Sequence, residues 1–286
     1  MLPRIKVETT ANDIKYALFD QEEIISNEIR KNGYWNQSVL ELSDRILKNS
    51  NYGIVLDIGS GFGSFSLPLS LINDQKFQFH AFEAIQPIFY QLCTNILLNC
   101  SENIKAHNIL VCNETGLQNY PTLDIHKSMN HGSFSFSEKM NKLRNIKTQK
   151  TAFFEKRRLD SYNFENVKLI KISTNGLESE IISGLEQTIK ISKNPPIAFQ
   201  CWEEDWYTSF KKDLIDKIKS LGYNHLFNTS EYIFAFKNEK EFEALQRKVK
   251  VVDEHSGFKI LEHEQNANDL IATQTTSFNF DEKIHQ

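Results

Sequence analysis

A chain of 286 residues, 40% hydrophobic and 24% charged, carries enough apolar content for one large α/β core with appendages, and its composition is that of an ordinary soluble globular protein. A formal net charge of −4 and a pI near 6.1, with lysines scattered among acids, leave no basic block of the kind that follows a nucleic-acid backbone, so polynucleotide binding is not expected. Cys93, Cys100, Cys112 and Cys201 form no C-x-x-C pair and no metal-spaced set with histidine, which points to reduced core or near-core thiols, a cytoplasmic location and no bound metal.

At the amino end, "MLPRIKVETTANDIKYALFD" lacks the apolar segment of a signal peptide, and nowhere does a run approach the ~20 apolar residues of a membrane span. Residues 12–48 carry helical spacing (Ile14, Ala17, Leu18; Ile24, Ile25, Ile29; Leu40, Leu42, Ile46, Leu47) broken at "KNGYWNQ", which predicts a helical preface over residues 1–50. Over residues 51–240 strand and helix then alternate: "IVLDI", "FQFHAF" with the helix "PIFYQLCTNILLN", "KAHNILV", "VKLIKI" with its helix, and "IAFQC" with "YTSFKKDLIDKIKSLG". Such alternation predicts an α/β fold, a mostly parallel sheet with helices on both faces. "YNHLF" and "YIFAF", joined by the short polar "NTSE", predict an antiparallel hairpin at one sheet edge. Residues 114–150 read as a long polar insert over the active face, and residues 241–286 as a carboxy-terminal extension, mobile from about 262.

Two segments carry chemistry. "VLDIGSGFGSFS" sets Asp57, Gly59, Gly61 and Gly63 directly after a buried strand, where glycines permit close backbone approach to a ligand and a turn into a helix. A tight β-to-α turn without a ligand uses the same residues. A dinucleotide fingerprint, G-x-G-x-x-G, fails at Ser64, and the acid at Asp57 suits a ligand with an ammonium group better than a pyrophosphate. Glu83 ends the next strand in "HAFEA", placed to accept hydrogen bonds from two ribose hydroxyls. The second segment, "LIKISTNGLESEIISGLE" (169–186), is a buried strand that breaks at Ser173-Thr174-Asn175-Gly176 and restarts as a helix, so its polar residues gather where open α/β sheets bind ligands.

Together with "FEAIQPIFYQLCTNILLN", "NETG", "MNHGSFSF", "RLDSYNFENVKLIKISTNGLESEIISGLE" and "LGYNH", these segments stand in the order and spacing of the FkbM-type methyltransferases, and the chain resembles that family over roughly residues 25–236. The resemblance implies a class I methyltransferase fold, Rossmann-like with a seven-stranded sheet. It further implies S-adenosyl-L-methionine as methyl donor and O-methylation of a sugar, glycan or other small hydroxylated acceptor. By position, Asp57, Gly59, Gly61 and Gly63 would hold the methionine portion, Glu83 the ribose, and Asn113 with Glu114 would lie beside the adenine. The family's strand-four signature, Lys-Ile-Asp-x-Glu-Gly, stands here as Lys171, Ile172, Ser173, Thr174, Asn175 and Gly176. The strand-three end, Ser-Asp in the family, is Cys112-Asn113, and the strand-five glutamate is Gln200. Neutral groups therefore replace four acids, and an amide cannot take a proton near neutral pH.

Ser173 and Asn175 are accordingly expected to position an acceptor, and His131, in the loop that the family sets over the pocket, is the candidate base. Glu178 matches a family acid but equally suits a helix N-terminus, and His80 reads as a core or sheet-face residue. Glu203, Glu204 and Asp205 are a rim cluster or a solvated run; Trp202, Trp206 and Tyr207 are sugar-stacking rings or packing. Three functions remain in play: methyl transfer, binding of a cofactor or partner without catalysis, and NAD-dependent oxidoreduction, the last weakened by Ser64 and Asp57.

Overall fold

A computed structural model describes residues 2–21, 23–73, 76–126, 131–145, 148–229, 231–245, 250–255 and 258–262. The chain opens on an antiparallel hairpin, β1 (Ile5–Thr9) and β2 (Lys15–Phe19), followed by helices α1 (Ile24–Asn32) and α2 (Gln37–Lys48). The expected all-helical preface is therefore half strand. Tyr16, Ala17, Leu18 and Phe19 are all buried, so burial along β2 has no period for a sequence to display.

The main sheet is built from β3 (Gly53–Ile58), α3 (Ser66–Ile72), β4 (Phe77–Phe82), α4 (Gln86–Leu98) and β5 (Ile104–His107), and resumes further along the chain. Between the two parts, β6 (Leu110–Val111), β7 (Gly116–Leu123), α5 (Glu138–Leu143) and β8 (Thr148–Arg157) make a small separate sheet in the order β6-β8-β7. The polar insert is thus a strand pair around a short helix. β7 starts with four exposed residues, which hid its alternation.

The second part comprises β9 (Val167–Ile172), α6 (Glu178–Ser183), α7 (Glu186–Ile191), β10 (Ile197–Gln200), α8 (Thr208–Ser220), β11 (His225–Asn228) and β12 (Tyr232–Phe236). After it come α9 (Glu239–Leu245), β13 (Lys250–His255) and β14 (Phe258–Glu262). Sheet order is β13-β14-β11-β12-β10-β9-β3-β4-β5. β5, β4, β3, β9 and β10 run parallel, and β12 is antiparallel to both β10 and β11. These seven strands, β11 to β5, form the mostly parallel sheet of the class I methyltransferase fold. The β11–β12 hairpin is not at the edge, because β14 continues the sheet in parallel beyond β11 and β13 lies outside it. The proposed mobile tail falls, from residue 263, outside the described residues.

Both sheet faces are covered, so alternate strand residues are apolar in both directions. Val55, Phe79, Leu169 and Phe234 pack with Leu40, Leu47, Leu67 and Leu92 on one face, while Leu56, Ile170 and Phe199 pack with Ile181, Ile182, Leu214 and Ile218 on the other. The amino-terminal hairpin is held from α4 by a row of amides four residues apart. Asn95 Oδ1 accepts from Ala17 N (2.6 Å), Gln91 Nε2 donates to Ala17 O (3.0 Å), and Asn99 both accepts from Lys15 N (2.9 Å) and donates to Lys15 O (2.7 Å). Side chains thus satisfy an edge of β2 that would otherwise need another strand. Cys112 and Cys201 are buried, whereas Cys100, expected near the core, is exposed.

Candidate functional site

β3 gives way after Ile58 to a turn whose Gly59 and Ser60 N–H groups both donate to Phe82 O at 3.0 Å. Gly59 has φ +73° and a Cβ there would sit 2.0 Å from Ser173 O, so only glycine fits where the ends of β3 and β9 touch. Gly61, at φ +56°, differs: a Cβ would meet nothing within 4 Å, and its backbone lines an open cavity.

That cavity, about 310 Å³, lies at the carboxyl ends of β3, β4, β9 and β10, the ligand position of open α/β sheets. At one end are Gly59–Phe62, Glu83–Ile85 and the apolar Ile109, Leu110 and Val111. Glu83 Oε2 accepts from Gly61 N (3.0 Å) and Oε1 from Ile85 N (2.8 Å). Burial outweighs these bonds and pushes the Glu83 carboxyl up to about 7.

Asp57 does not line this cavity. It is fully buried beneath the glycine turn, accepting from Ser66 Oγ (2.6 Å) and Lys171 Nζ (2.9 Å), and Lys171 also donates to Gly59 O (2.9 Å). Burial favours a neutral Lys171, but the carboxylate beside it prevails and holds the ammonium above its ordinary range. The β3–β9 register sets Asp57 opposite Lys171, so the expected partner of a ligand ammonium group is already paired. Asn113 and Glu114 also stand outside the cavity. Cys112 N bonds Arg157 O and draws the chain onto the second sheet, where exposed Glu114 pairs with Lys156.

At the other end are Ser173, Thr174, Asn175, Gln200, Trp202, Tyr232, Arg144 and His131. Ser173 Oγ donates to Gln200 Oε1 (3.2 Å) and accepts from Tyr232 OH (2.9 Å), a linked polar row across β9, β10 and β12. Asn175 sits at φ +53° and is 5% exposed; its Nδ2 donates to Gly132 O and to Phe134 O (3.2 Å) while Oδ1 accepts from Arg144 Nη1 (3.3 Å). Asn175 therefore pins the 131–136 loop to the end of β9, a task requiring an amide N–H₂ that no carboxylate supplies. Glu178 lies below, outside the cavity, accepting from Thr174 N (3.0 Å) and Gly176 N (2.7 Å) and near Tyr207 OH (3.4 Å), which fixes the turn's shape.

His131 Nε2 lies 2.9 Å from Gln21 Nε2 and 3.3 Å from Ile125 O, while Nδ1 has no hydrogen-bond partner among the described residues. Burial lowers its pKa, opposed by the Glu23 carboxylate and the Ile125 carbonyl. His80, stacked on His107 and packed on Phe164, belongs to the sheet face. Glu203 pairs with Lys211, and Glu203, Glu204 and Asp205 are exposed outside the cavity wall. Tyr207 is buried, whereas Trp202 and Trp206 lie against the Arg144 guanidinium at 5.5 and 5.1 Å.

No protein-family model matches the chain, and no curated protein matches it significantly. Among solved structures it is similar to methyltransferase FkbM from Methylobacillus flagellatus KT, at 16% identity and TM-score 0.45, covering 65% of this chain and 44% of that one. It is similar too to a SAM-dependent O-methyltransferase from Thermotoga maritima (13% identity, TM-score 0.43, 82% and 77% covered). A third is precorrin-6y C5,15-methyltransferase from Geobacter metallireducens GS-15 (14% identity, TM-score 0.41, 71% and 89% covered). The chain spans less than half the length of the first of these.

Five cavity residues escape a reading by motif: Glu23, Arg144, Glu231, Tyr232 and Trp35. Glu23 caps α1, its Oε2 accepting from Ser26 N (2.7 Å) and Ser26 Oγ (2.8 Å), yet its buried Oε1 has no partner among the described residues. Glu231 Oε2 is likewise buried and unpartnered among the described residues. The acid preceding "IIS" is a visible N-cap signal, but nothing in sequence aims it at a ligand. Among the described residues, no helix is long and apolar enough to cross a membrane, and no cluster could hold a metal ion.

Proposed function

We propose that this protein is an S-adenosylmethionine-dependent methyltransferase acting on a hydroxyl of a sugar, glycan or other small hydroxylated acceptor in the cytoplasm. The observation carrying this proposal is the two-ended cavity, with a glycine turn and Glu83 at one end and a neutral polar row at the other, joined where Gly59 touches Ser173. The residues present fit the donor. Gly61 leaves room for close approach, each Glu83 oxygen keeps accepting capacity for a vicinal diol, and Ile109, Leu110 and Val111 offer an apolar wall to a base. The unpartnered oxygens of Glu23 and Glu231 supply the carboxylate that an ammonium group needs and that Asp57 cannot.

When bound, S-adenosylmethionine supplies an electrophilic methyl group on a sulfonium. The chain's own residues then have three tasks. Ser173, Gln200 and Tyr232 orient the acceptor hydroxyl, and orientation is the larger part of rate in a displacement that needs an in-line approach. Asn175 keeps the 131–136 loop over the site. His131, kept neutral by burial, accepts from Gln21 Nε2 at Nε2 and so carries its own proton at Nδ1, where it orients the acceptor as a donor while the hydroxyl proton passes to solvent.

Calorimetry with S-adenosylhomocysteine tests the donor half. The parent should bind and Glu83→Ala should bind at least tenfold more weakly, since each charge-assisted bond is worth on the order of 1.5–3 kcal/mol. No binding by the parent overturns the proposal. Binding without methyl transfer to any hydroxylated acceptor instead favours a non-catalytic binding protein, the reading to which a β9 end without a carboxylate points.

A further inference from the structure

Arg144 follows α5 and projects to the cavity wall with its charge unanswered. Nη1 donates to Ser133 O (3.1 Å) and Asn175 Oδ1 (3.3 Å), and no carboxylate lies within 4.0 Å among the described residues. Both bonds use one nitrogen. The Nε–Nη2 edge, which carries three N–H donors in the fork that matches a carboxylate or phosphate, has no partner among the described residues. Trp202 and Trp206 rings lie on the guanidinium at 5.5 and 5.1 Å, fixing its plane.

Two further features favour an anion here. The Trp202 Nε1–H is buried without an acceptor among the described residues and Trp202 lines the same cavity, so a second donor there can serve an oxygen. The groups around the β9 end, Ser173, Asn175 and Gln200, are neutral, and Glu23, Glu83 and Glu231, which line the same cavity, stay beyond salt-bridge distance of the guanidinium. A half-buried cation without a counter-ion is costly, and a ligand oxyanion relieves that cost.

We infer that Arg144, with the Trp202 Nε1–H, forms an oxyanion subsite, and that the molecule bound beside Ser173 is a hydroxylated compound bearing a carboxylate or phosphate ester. That this molecule is the methyl acceptor rests on the function proposed above; the subsite itself does not. Asn175, which holds Arg144, and Ser173, which faces the reacting hydroxyl, are two residues apart on one turn, at most about 7 Å along the chain. Both residues line one cavity of about 310 Å³, so oxyanion and hydroxyl belong to one small molecule.

The test is equilibrium binding of three probes, glucuronate, glucose 6-phosphate and glucose, followed by calorimetry and by the fluorescence of the tryptophans against Arg144. The parent should bind one of the two anions at least tenfold more tightly than glucose, glucuronate marking a carboxylate subsite and glucose 6-phosphate a phosphate one. R144Q, which keeps the shape without the charge, should bind all three alike while its S-adenosylhomocysteine affinity stays that of the parent. R144K, keeping a point charge but losing the fork, should fall between, and it serves where R144Q does not fold. Equal binding of all probes by the parent, no binding of any, or an anion preference surviving in R144Q would overturn the inference. Loss of S-adenosylhomocysteine binding by the parent would instead overturn the donor assignment and leave the anion result standing.

Discussion

Lys171 and Asp57 face each other across adjacent parallel strands, ammonium to carboxylate at 2.9 Å, with Asp57 fully buried and the Lys171 side chain 7% exposed. Removing one partner leaves the other charged and dry. K171M should therefore cost about 3–5 kcal/mol in urea denaturation, whereas replacing both by apolar residues should recover much of that loss. A K171M stability within 1 kcal/mol of the parent, roughly the scale of a surface pair, would show that the pair is solvated in solution.

Two glycines of one turn should respond oppositely. G59A drives a methyl to 2.0 Å from Ser173 O and should abolish folding or lower stability by more than about 4 kcal/mol. G61A meets open space, so it should cost only about 1 kcal/mol of backbone strain yet weaken S-adenosylhomocysteine, because its methyl enters the cavity. Thermal melts paired with calorimetry separate the two; equal destabilisation would contradict the contact between the strand ends.

Asn175 donates to two loop carbonyls at once. N175A leaves both unsatisfied, at about 1–3 kcal/mol, and N175D should be worse because a carboxylate oxygen then faces carbonyl oxygens. Hydrogen exchange should show faster amides over residues 131–136 in both variants. An acid here should loosen the loop, and protection unchanged in N175D would mean that the loop is held by other contacts.

Glu83 makes a pH prediction. Its carboxyl titrates near 7 in the folded protein against an ordinary 4.5, chiefly because it is buried. The stabilisation tied to the raised value is present below pH 4.5 and lost as pH rises through about 7, on the order of 3 kcal/mol at most. The ionised form is the better acceptor for hydroxyls, so S-adenosylhomocysteine affinity should rise between pH 6 and 8, about the window of that titration. E83Q should flatten both profiles; a parent whose affinity is flat across that window would show that Glu83 does not face the ligand.

The sheet was readable because "IVLDI", "FQFHAF" and "VKLIKI" are apolar on both faces, and the glycine turn because its spacing is dictated by local geometry. The amino-terminal hairpin was not: Ile14, Ala17 and Leu18 mimic helical spacing when consecutive residues are buried, and the amides that hold them lie about eighty residues away on α4. Asp57 was assigned to a ligand because its competitor, Lys171, is a neighbour only through strand register. Asn113 and Glu114 stand outside the cavity for a similar reason, since β8, which carries that segment away, follows thirty-odd residues later. Arg144 drew no notice in "EKMNKLRNIK", where it is one cation among several, and only the fold reveals that it lacks a counter-ion among the described residues.

The row of amides from α4 to β2 determines what the hairpin can grow into. A strand edge with free N–H and C=O groups recruits other strands, its own copies included. Because Gln91, Asn95 and Asn99 occupy one edge of β2 and β1 occupies the other, the hairpin keeps open only the outer rim of β1, where Lys6 and Glu8 place charge. The helix thereby acts as an end-stop, and a hairpin with four consecutive buried side chains stays a local cover on α4 instead of becoming a seed for intermolecular sheet.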